Sequence, residues 1–266
     1  MVKGSASDAN ALCINEVRYH DKILYELALY LPQKVRSAAM AILAFHAEIA
    51  KTRSVVTETS IGLMRLLWWR EAVQALYEGE VRTGQPVLES LHTSIKDYDL
   101  PLQAFEEMSY GYEFDLEDRQ PSHIEGLETY FEATYGNLFK LLSQLDTKAP
   151  QLPMSITHCF GTMRLLRQHH VMIPAQHCLY PETLLVKHDL RLSDLYQGKS
   201  RDGIRSLVKE CVLHAEGGLG DIKGETTFQK VLLAHLRLEI NAFKAVDYDV
   251  FDGKLKSLPL LRSPRL

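Results

Sequence analysis

The chain has 266 residues, 46% hydrophobic and 24% charged, with a formal net charge of −4. That length can bury a full core as one large domain or two small ones, and the composition is that of an ordinary globular protein. The acidic balance excludes a global attraction to nucleic acid, so no nucleic-acid partner is expected. Four cysteines, Cys13, Cys159, Cys178 and Cys211, lie far apart without a CxxC pair. They suggest neither a zinc site nor a disulfide framework, and a reduced, cytoplasmic setting fits them. The longest apolar run, AAMAILAF at residues 38–45, has eight residues, against the roughly 20 needed to span a bilayer. No transmembrane segment is expected, which leaves peripheral contact with an inner membrane as the closest approach. The first residues, MVKGSASDANALCINE, carry neither the apolar core of a signal peptide nor an Arg-rich transit pattern.

Helical periodicity runs through the chain and no alternating strand stands out. DKILYELALYL places Ile23, Leu24, Leu27, Ala28 and Leu31 on one stripe, which Pro32 ends. A second helix is expected over residues 33–53. After the polar TETS, Ser60 is the expected cap of IGLMRLLWWREAVQALYEG, which Gly79 stops. Pro86 opens PVLESLHTSI, and Pro101 opens a longer segment through GYEFDLEDR. Beyond Pro121, Ser122 and Glu125 have capping-box spacing for one helix over HIEGLETYFEATYGNLFKLLSQL. MSITHCFGTMRLLRQHH, a short helix after Pro181, DGIRSLVKECVLHAE and TTFQKVLLAHLRLEINAFKAVDYDVF complete a set approaching nine helices. Loops are short and no repeat or linker is visible, so one all-α domain is expected over residues 20–252, between an N-terminal extension, 1–19, and a tail, 253–266.

Generic motifs contribute little. GGLGDIKG at residues 217–224 has close glycines but no preceding strand, and reads as a helix-ending loop. His169 and His170 are adjacent, so they project about 100° apart on a helix and cannot share a metal as an i, i+4 pair would. Trp68 and Trp69 likewise point to different sides: one is expected in the core and the other is free to line a cavity or a contact surface, although core packing of both is the commoner outcome.

The ordered segments YELALYLPQKVRSAAMAILAFHAEIAKTRSVV, GLMRLLWWREAVQALYEG, GYEFDL with LETYFEATYGNLFKLL, and LLRQHHVMIPAQHCLYPETLL resemble the squalene/phytoene synthase family, over roughly residues 20–250. The resemblance implies a single isoprenoid-synthase-like helical bundle around a central cavity. It also implies a chemistry in which two aspartate-rich motifs hold Mg²⁺, a hard cation that takes oxygen ligands and neutralises the substrate diphosphate. Laid on AFHAEIAKTRS, the acidic positions of the first motif, DDxxD, fall on Ala50, Lys51 and Ser54. In the second, LRDxxxD followed by YLP, Leu166 and Arg167 match, and Leu179, Tyr180 and Pro181 keep the downstream distance. Its two aspartate positions fall on Gln168 and Met172. None of the five residues carries a carboxylate.

Glu48, Glu113, Asp115 and Asp118 remain as nearby carboxylates. Two readings of them stand: a metal site rebuilt from these residues, or pairing with Arg65, Arg70 or Arg167 in a polar cavity. Glu48, Lys51, Arg65, Glu113, Asp115, Arg167 and Gln168 are accordingly the candidate residues of the ancestral pocket.

Further likeness in IGLMRLLWWREAVQALYEG, QPVLESL, the aspartate-free LLRQHH and VDYDVFDGKL is to the family branch containing a mitochondrial complex I assembly factor and its bacterial relatives. What this implies is a protein without metal or other cofactor. Its partner would be a respiratory-complex subunit, an assembly protein, or a prenyl or other apolar ligand. The alternative is an active prenyl-diphosphate transferase using Mg²⁺ at a rebuilt acidic site.

Overall fold

The computed structural model describes residues 6–82, 84–146 and 150–257. Among these there is no strand, and the all-α isoprenoid-synthase fold is the observed one. Of the segments set apart at the two ends, residues 1–5 and 258–266 lie outside the described residues. The α-helical segments are α1 Ala6–His20, α2 Lys22–Ala28, α3 Arg36–Ala50, α4 Thr52–Val55, α5 Thr59–Tyr77, α6 Pro86–Tyr98 and α7 Leu102–Glu113. They continue with α8 Ile124–Phe131, α9 Asn137–Gln144, α10 Met154–Met172, α11 Glu182–Lys187, α12 Leu192–Tyr196, α13 Arg201–Leu219 and α14 Thr227–Ala245.

The chain divides into two compact units. The first comprises Met1–Glu117, Ala133–Leu152 and Glu225–Phe228; the second comprises Asp118–Glu132, Pro153–Gly224 and Gln229–Leu266. In the first unit α3 is the central element. Its residues Ala38 to Ala47 and Ile49 are all buried, and it packs against α1, α6, α7 and α9. A helix apolar on every side needs neighbours on every side. Small residues, Ala38, Ala39, Ala41, Ala44 and Ala47, let those neighbours approach closely. In the second unit α10 packs against α8 and α13.

Several helix starts follow local chemistry. Asp21 accepts a hydrogen bond from the Leu24 amide at 3.0 Å, capping α2. Pro86 sits at the start of α6, and Gln85 accepts from the Val87 amide. The glycine-rich segment ends a helix as expected: Gly217 and Gly218 lie in the last turn of α13, and Gly220, at φ 42°, caps it.

Elsewhere tertiary contacts override the local signals. Thr59, rather than Ser60, begins α5; its hydroxyl donates to the Leu116 carbonyl at 3.0 Å, and Ser60 falls inside the first turn. The Ser122–Glu125 capping box does not form, because α8 starts at Ile124 after an extended, uncapped His123. The carbonyls of Pro121 and Ser122 instead accept the amides of Glu182 and Thr183, at 2.9 and 3.1 Å. These are the first amides of α11, whose donors would otherwise be orphaned. The long helix expected beyond Pro121 is interrupted by a π-helical turn over Glu132–Gly136, and the helix expected over 33–53 breaks at Lys51. The last helix ends at Ala245 and not at Phe251, with Asp247 and Tyr248 in left-handed conformations.

Gly161, midway along α10, faces Phe131, the last residue of α8. A Cβ added there would lie 2.3 Å from the Phe131 ring. Gly161→Ala is therefore expected to destabilise the protein by about 1–3 kcal/mol through overpacking, read as a lower urea midpoint. Gly217→Ala, with open space around its site, is the control and should be neutral or stabilising by up to about 1 kcal/mol.

Candidate functional site

The last turn of α3 and the residue after it carry the first cluster. Glu48 is mostly buried, and both its carboxylate oxygens are engaged: one by the Lys51 ammonium at 2.9 Å, the other by the Arg65 guanidinium, from α5, at 2.5 Å. Lys51 also meets Glu16, on α1, at 2.5 Å. Burial on its own would lower the pKa of Lys51, but the hydrogen bonds to Glu16 and Glu48 outweigh it, so the pKa is raised. The ammonium is therefore fixed in its charged form between two carboxylates.

The neighbouring turn is stitched to the same region. Arg53 donates to the Asp115 carbonyl at 2.5 Å. Asp115 itself is buried in a 3-10 turn over Phe114–Leu116. Arg70 pairs with Glu113 and lies over the Tyr110 ring, 4.0 Å from its centroid. Beneath these charges His46 and Tyr112, both buried, share a hydrogen bond of 2.7 Å. Trp69 is buried edge-on to Phe45, whereas Trp68 is 38% exposed. The two tryptophans thus part, and the commoner outcome, core packing of both, is not the one observed.

The second cluster belongs to the other unit. Arg167 donates to Glu239, on α14, at 2.6 Å, and to the Leu255 carbonyl; its guanidinium lies 5.4 Å from the Phe243 ring centroid. Burial pushes the Glu239 carboxyl up, with attraction to Arg167 opposing it. Gln168 is exposed and Met172, the last residue of α10, is half-buried. His169 is buried and shares a hydrogen bond of 2.9 Å with Tyr180, which accepts a further bond at its carbonyl from Gln120. Burial, with a smaller push from His170, lowers the His169 pKa to about 4, so the ring is neutral near pH 7.

Glu48, Lys51, Arg65, Glu113 and Asp115 thus lie in the first unit, in ion pairs or against a neighbouring arginine, and Arg167 and Gln168 lie in the second. Sequence reasoning missed Glu16, which sits in the segment set apart as an extension, and Glu239. No pattern in the sequence marks either, since each acquires its role from an Arg or Lys far along the chain.

Whether a family magnesium cluster fits these residues is decided by the charges around the carboxylates. Mg²⁺ requires near-octahedral oxygen ligands, and Glu48 offers none that is not already held by a protein cation. Among the described residues no group of three or more His, Cys, Asp or Glu side chains is placed to hold a metal ion. At Glu48 two protein cations occupy the places a metal ion would take. The cysteines are buried and free, and burial pushes Cys159 and Cys211 up to about 12 and Cys178 to about 11, away from the thiolate that nucleophiles and metal ligands need.

Residues 17–234 match the family model described as squalene/phytoene synthase. The chain belongs to that family. Among curated proteins it is similar to the rat "NADH dehydrogenase (ubiquinone) complex I, assembly factor 6", at 24% identity over 260 residues, covering 94% of this chain and 78% of that protein. Its human counterpart of the same name is 25% identical over 258 residues, covering 92% and 76%. Among solved structures, squalene synthase HpnC from Alicyclobacillus acidocaldarius superposes with a TM-score of 0.72 at 16% identity, covering 92% of this chain and 96% of that one. A dehydrosqualene synthase in complex with ligand gives 0.74 at 17% identity, covering 93% and 90%. At such identities the likeness to solved structures establishes the fold.

Two outcomes test these clusters. Arg167→Ala should cost about 3 kcal/mol, because it removes the cation hydrogen-bonded to buried Glu239, whereas replacing both residues by leucine should recover most of that loss; urea denaturation of the wild type and the two variants measures it. The depressed pKa of His169 gives stability that is fully present above its unfolded value of 6.5 and is lost as pH falls toward about 4. Comparing urea midpoints at about pH 7 and about pH 4.5 should show a loss of order 2 kcal/mol that His169→Gln reduces.

Proposed function

We propose that this chain is a non-catalytic member of its family, without metal or other cofactor, that acts in assembly of a respiratory complex. The observation that carries the proposal is the Lys51 ammonium. It sits between Glu16 and Glu48 at a position where the family resemblance lays a metal-binding aspartate. A fixed positive charge at that place opposes a divalent cation. Without the cation a departing diphosphate loses the partner that stabilises its developing charge, and each 1.36 kcal/mol so lost costs about tenfold in rate. The names of the curated relatives support the assembly role, and the extent of the match, 94% of this chain for the rat protein, extends that support to nearly all of it.

In this reading Glu48, Lys51, Arg65, Glu113, Asp115, Arg167 and Gln168 are remnants of the ancestral polar positions, and their role is now structural. The partner is a respiratory-complex subunit or another assembly protein. No helix among the described residues is long and apolar enough to cross a membrane, so contact with an inner membrane would be peripheral, from the cytoplasmic side.

Purified protein incubated with farnesyl or geranylgeranyl diphosphate and Mg²⁺ or Mn²⁺ is expected to release no pyrophosphate above a no-protein control. Metal-dependent release abolished by Asp115→Ala would establish a rebuilt acidic site and a working prenyltransferase. The assembly role has its own test. Deleting the gene should lower the amount of assembled NADH dehydrogenase on native gels, and wild-type protein and Asp115→Ala should restore it equally.

A further inference from the structure

Helix α5 is built unlike the surface helices around it. Its inner face, Gly62, Leu66, Trp69, Ala72, Val73 and Leu76, is buried. A surface helix ordinarily turns charged and polar residues outward opposite such a face. Here the outer face of the first half of the helix is apolar: Ile61, Leu63, Met64, Leu67 and Trp68 are 36 to 61% exposed. Ile61, Met64 and Trp68 follow the three-and-four spacing of one stripe, and Leu63 and Leu67 lie beside it. Single exposed apolar residues need no account, but a contiguous run on one helix marks a contact surface. Arg82 lies over the Trp68 indole, 5.2 Å from its centroid, and supports it at the edge of this run.

The charges on that face select what covers it. The helix's own basic residues, Arg65 and Arg70, are taken by Glu48 and Glu113. Apart from Arg82 over Trp68, what remains along the stripe is acidic: Glu71 continues it three residues after Trp68, and Glu78, the residue that caps the end of the helix, follows seven further on, both exposed. An anionic bilayer would be repelled by carboxylates placed on the line of apolar residues. A second copy packed through the same face would bring like charges together.

We propose that the outer face of α5 is a docking surface for an amphipathic helix of a partner protein, whose apolar stripe covers Met64, Leu67 and Trp68 and whose basic residues, about seven apart, meet Glu71 and Glu78. The inference deepens the assembly reading by naming the surface and the chemistry of the partner, and it rests on that reading for the partner's identity alone. Trp68 is the anchor, an aromatic side chain at the centre of the contact with a cation at its edge. The carboxylates set orientation and choice of partner.

Two synthetic helical peptides of about 18 residues, sharing one leucine stripe and differing only in lysine or glutamate beside it, are titrated into the intact protein while tryptophan emission is followed. The lysine peptide is expected to shift the emission to the blue and to bind at least about tenfold more tightly than the glutamate peptide. Glu71→Lys with Glu78→Lys should reverse the preference, and Trp68→Phe should remove the emission change. Equal binding of the two peptides, or binding of neither, overturns the proposal. So does binding to mixed phosphatidylcholine and phosphatidylglycerol vesicles in place of the peptides, which would make the face a membrane contact. A concentration-dependent dimer in sedimentation that Met64→Glu abolishes would make it a contact between copies, and overturns the proposal likewise. The native-gel experiment separates the two readings. A lysine preference with unchanged NADH dehydrogenase after deletion leaves the surface standing and removes the assembly role; reduced NADH dehydrogenase with no peptide preference does the opposite.

Discussion

Glu48 stands largely buried at the end of α3 with Lys51 on one carboxylate oxygen and Arg65 on the other. A carboxylate in that position must be neutralised by something, since an unpaired buried charge is costly. Here side chains of the chain itself supply the neutralising charge. The consequence spreads through the unit. Lys51 ties α3 to Glu16 on α1, Arg65 ties it to α5, and five residues further along α5 Arg70 reaches Glu113 on α7. These charges join helices of the unit.

The second unit obeys the same constraint. Arg167 is held by Glu239 and by the Leu255 carbonyl, which connects α10 to α14 and to the turn after it. His169, next to it, is kept neutral by burial and is linked to Tyr180. A histidine whose pKa lies near 4 is a poor proton carrier at neutral pH, because general acid–base work favours a pKa near the operating pH. The packing of apolar faces specifies the fold, whereas a few charged side chains specify what a site can do.

Most helices were legible because their signals are local. Asp21 and Pro86 mark starts by satisfying or omitting amides within one turn, and Gly220 marks an end by adopting a conformation other residues resist. The candidate site was legible only in part. Ala50, Lys51, Ser54, Gln168 and Met172 can be read from the sequence as residues without carboxylates. That Lys51 finds Glu16 across 35 positions, or that Arg167 finds Glu239 across 72, cannot be read there.

By itself the sequence determined the all-α class, the family, and the identity of the side chains at the two motif positions, since periodicity, caps and residue type are carried by neighbours within a turn or two. The tertiary structure decided where those helices break and what neutralises each charge. The Ser122–Glu125 box gave way to the amides of α11, the helix after Pro121 yielded to a π turn at Glu132–Gly136, and Ser60 fell inside the first turn of a helix that Glu58 precedes without a side-chain cap, while the Thr59 hydroxyl went to the Leu116 carbonyl. At the Ser122–Glu125 box and at Thr59 a local hydrogen bond worth about 1 kcal/mol competes with partners brought from far along the chain, and leaving such partners unsatisfied is the larger cost.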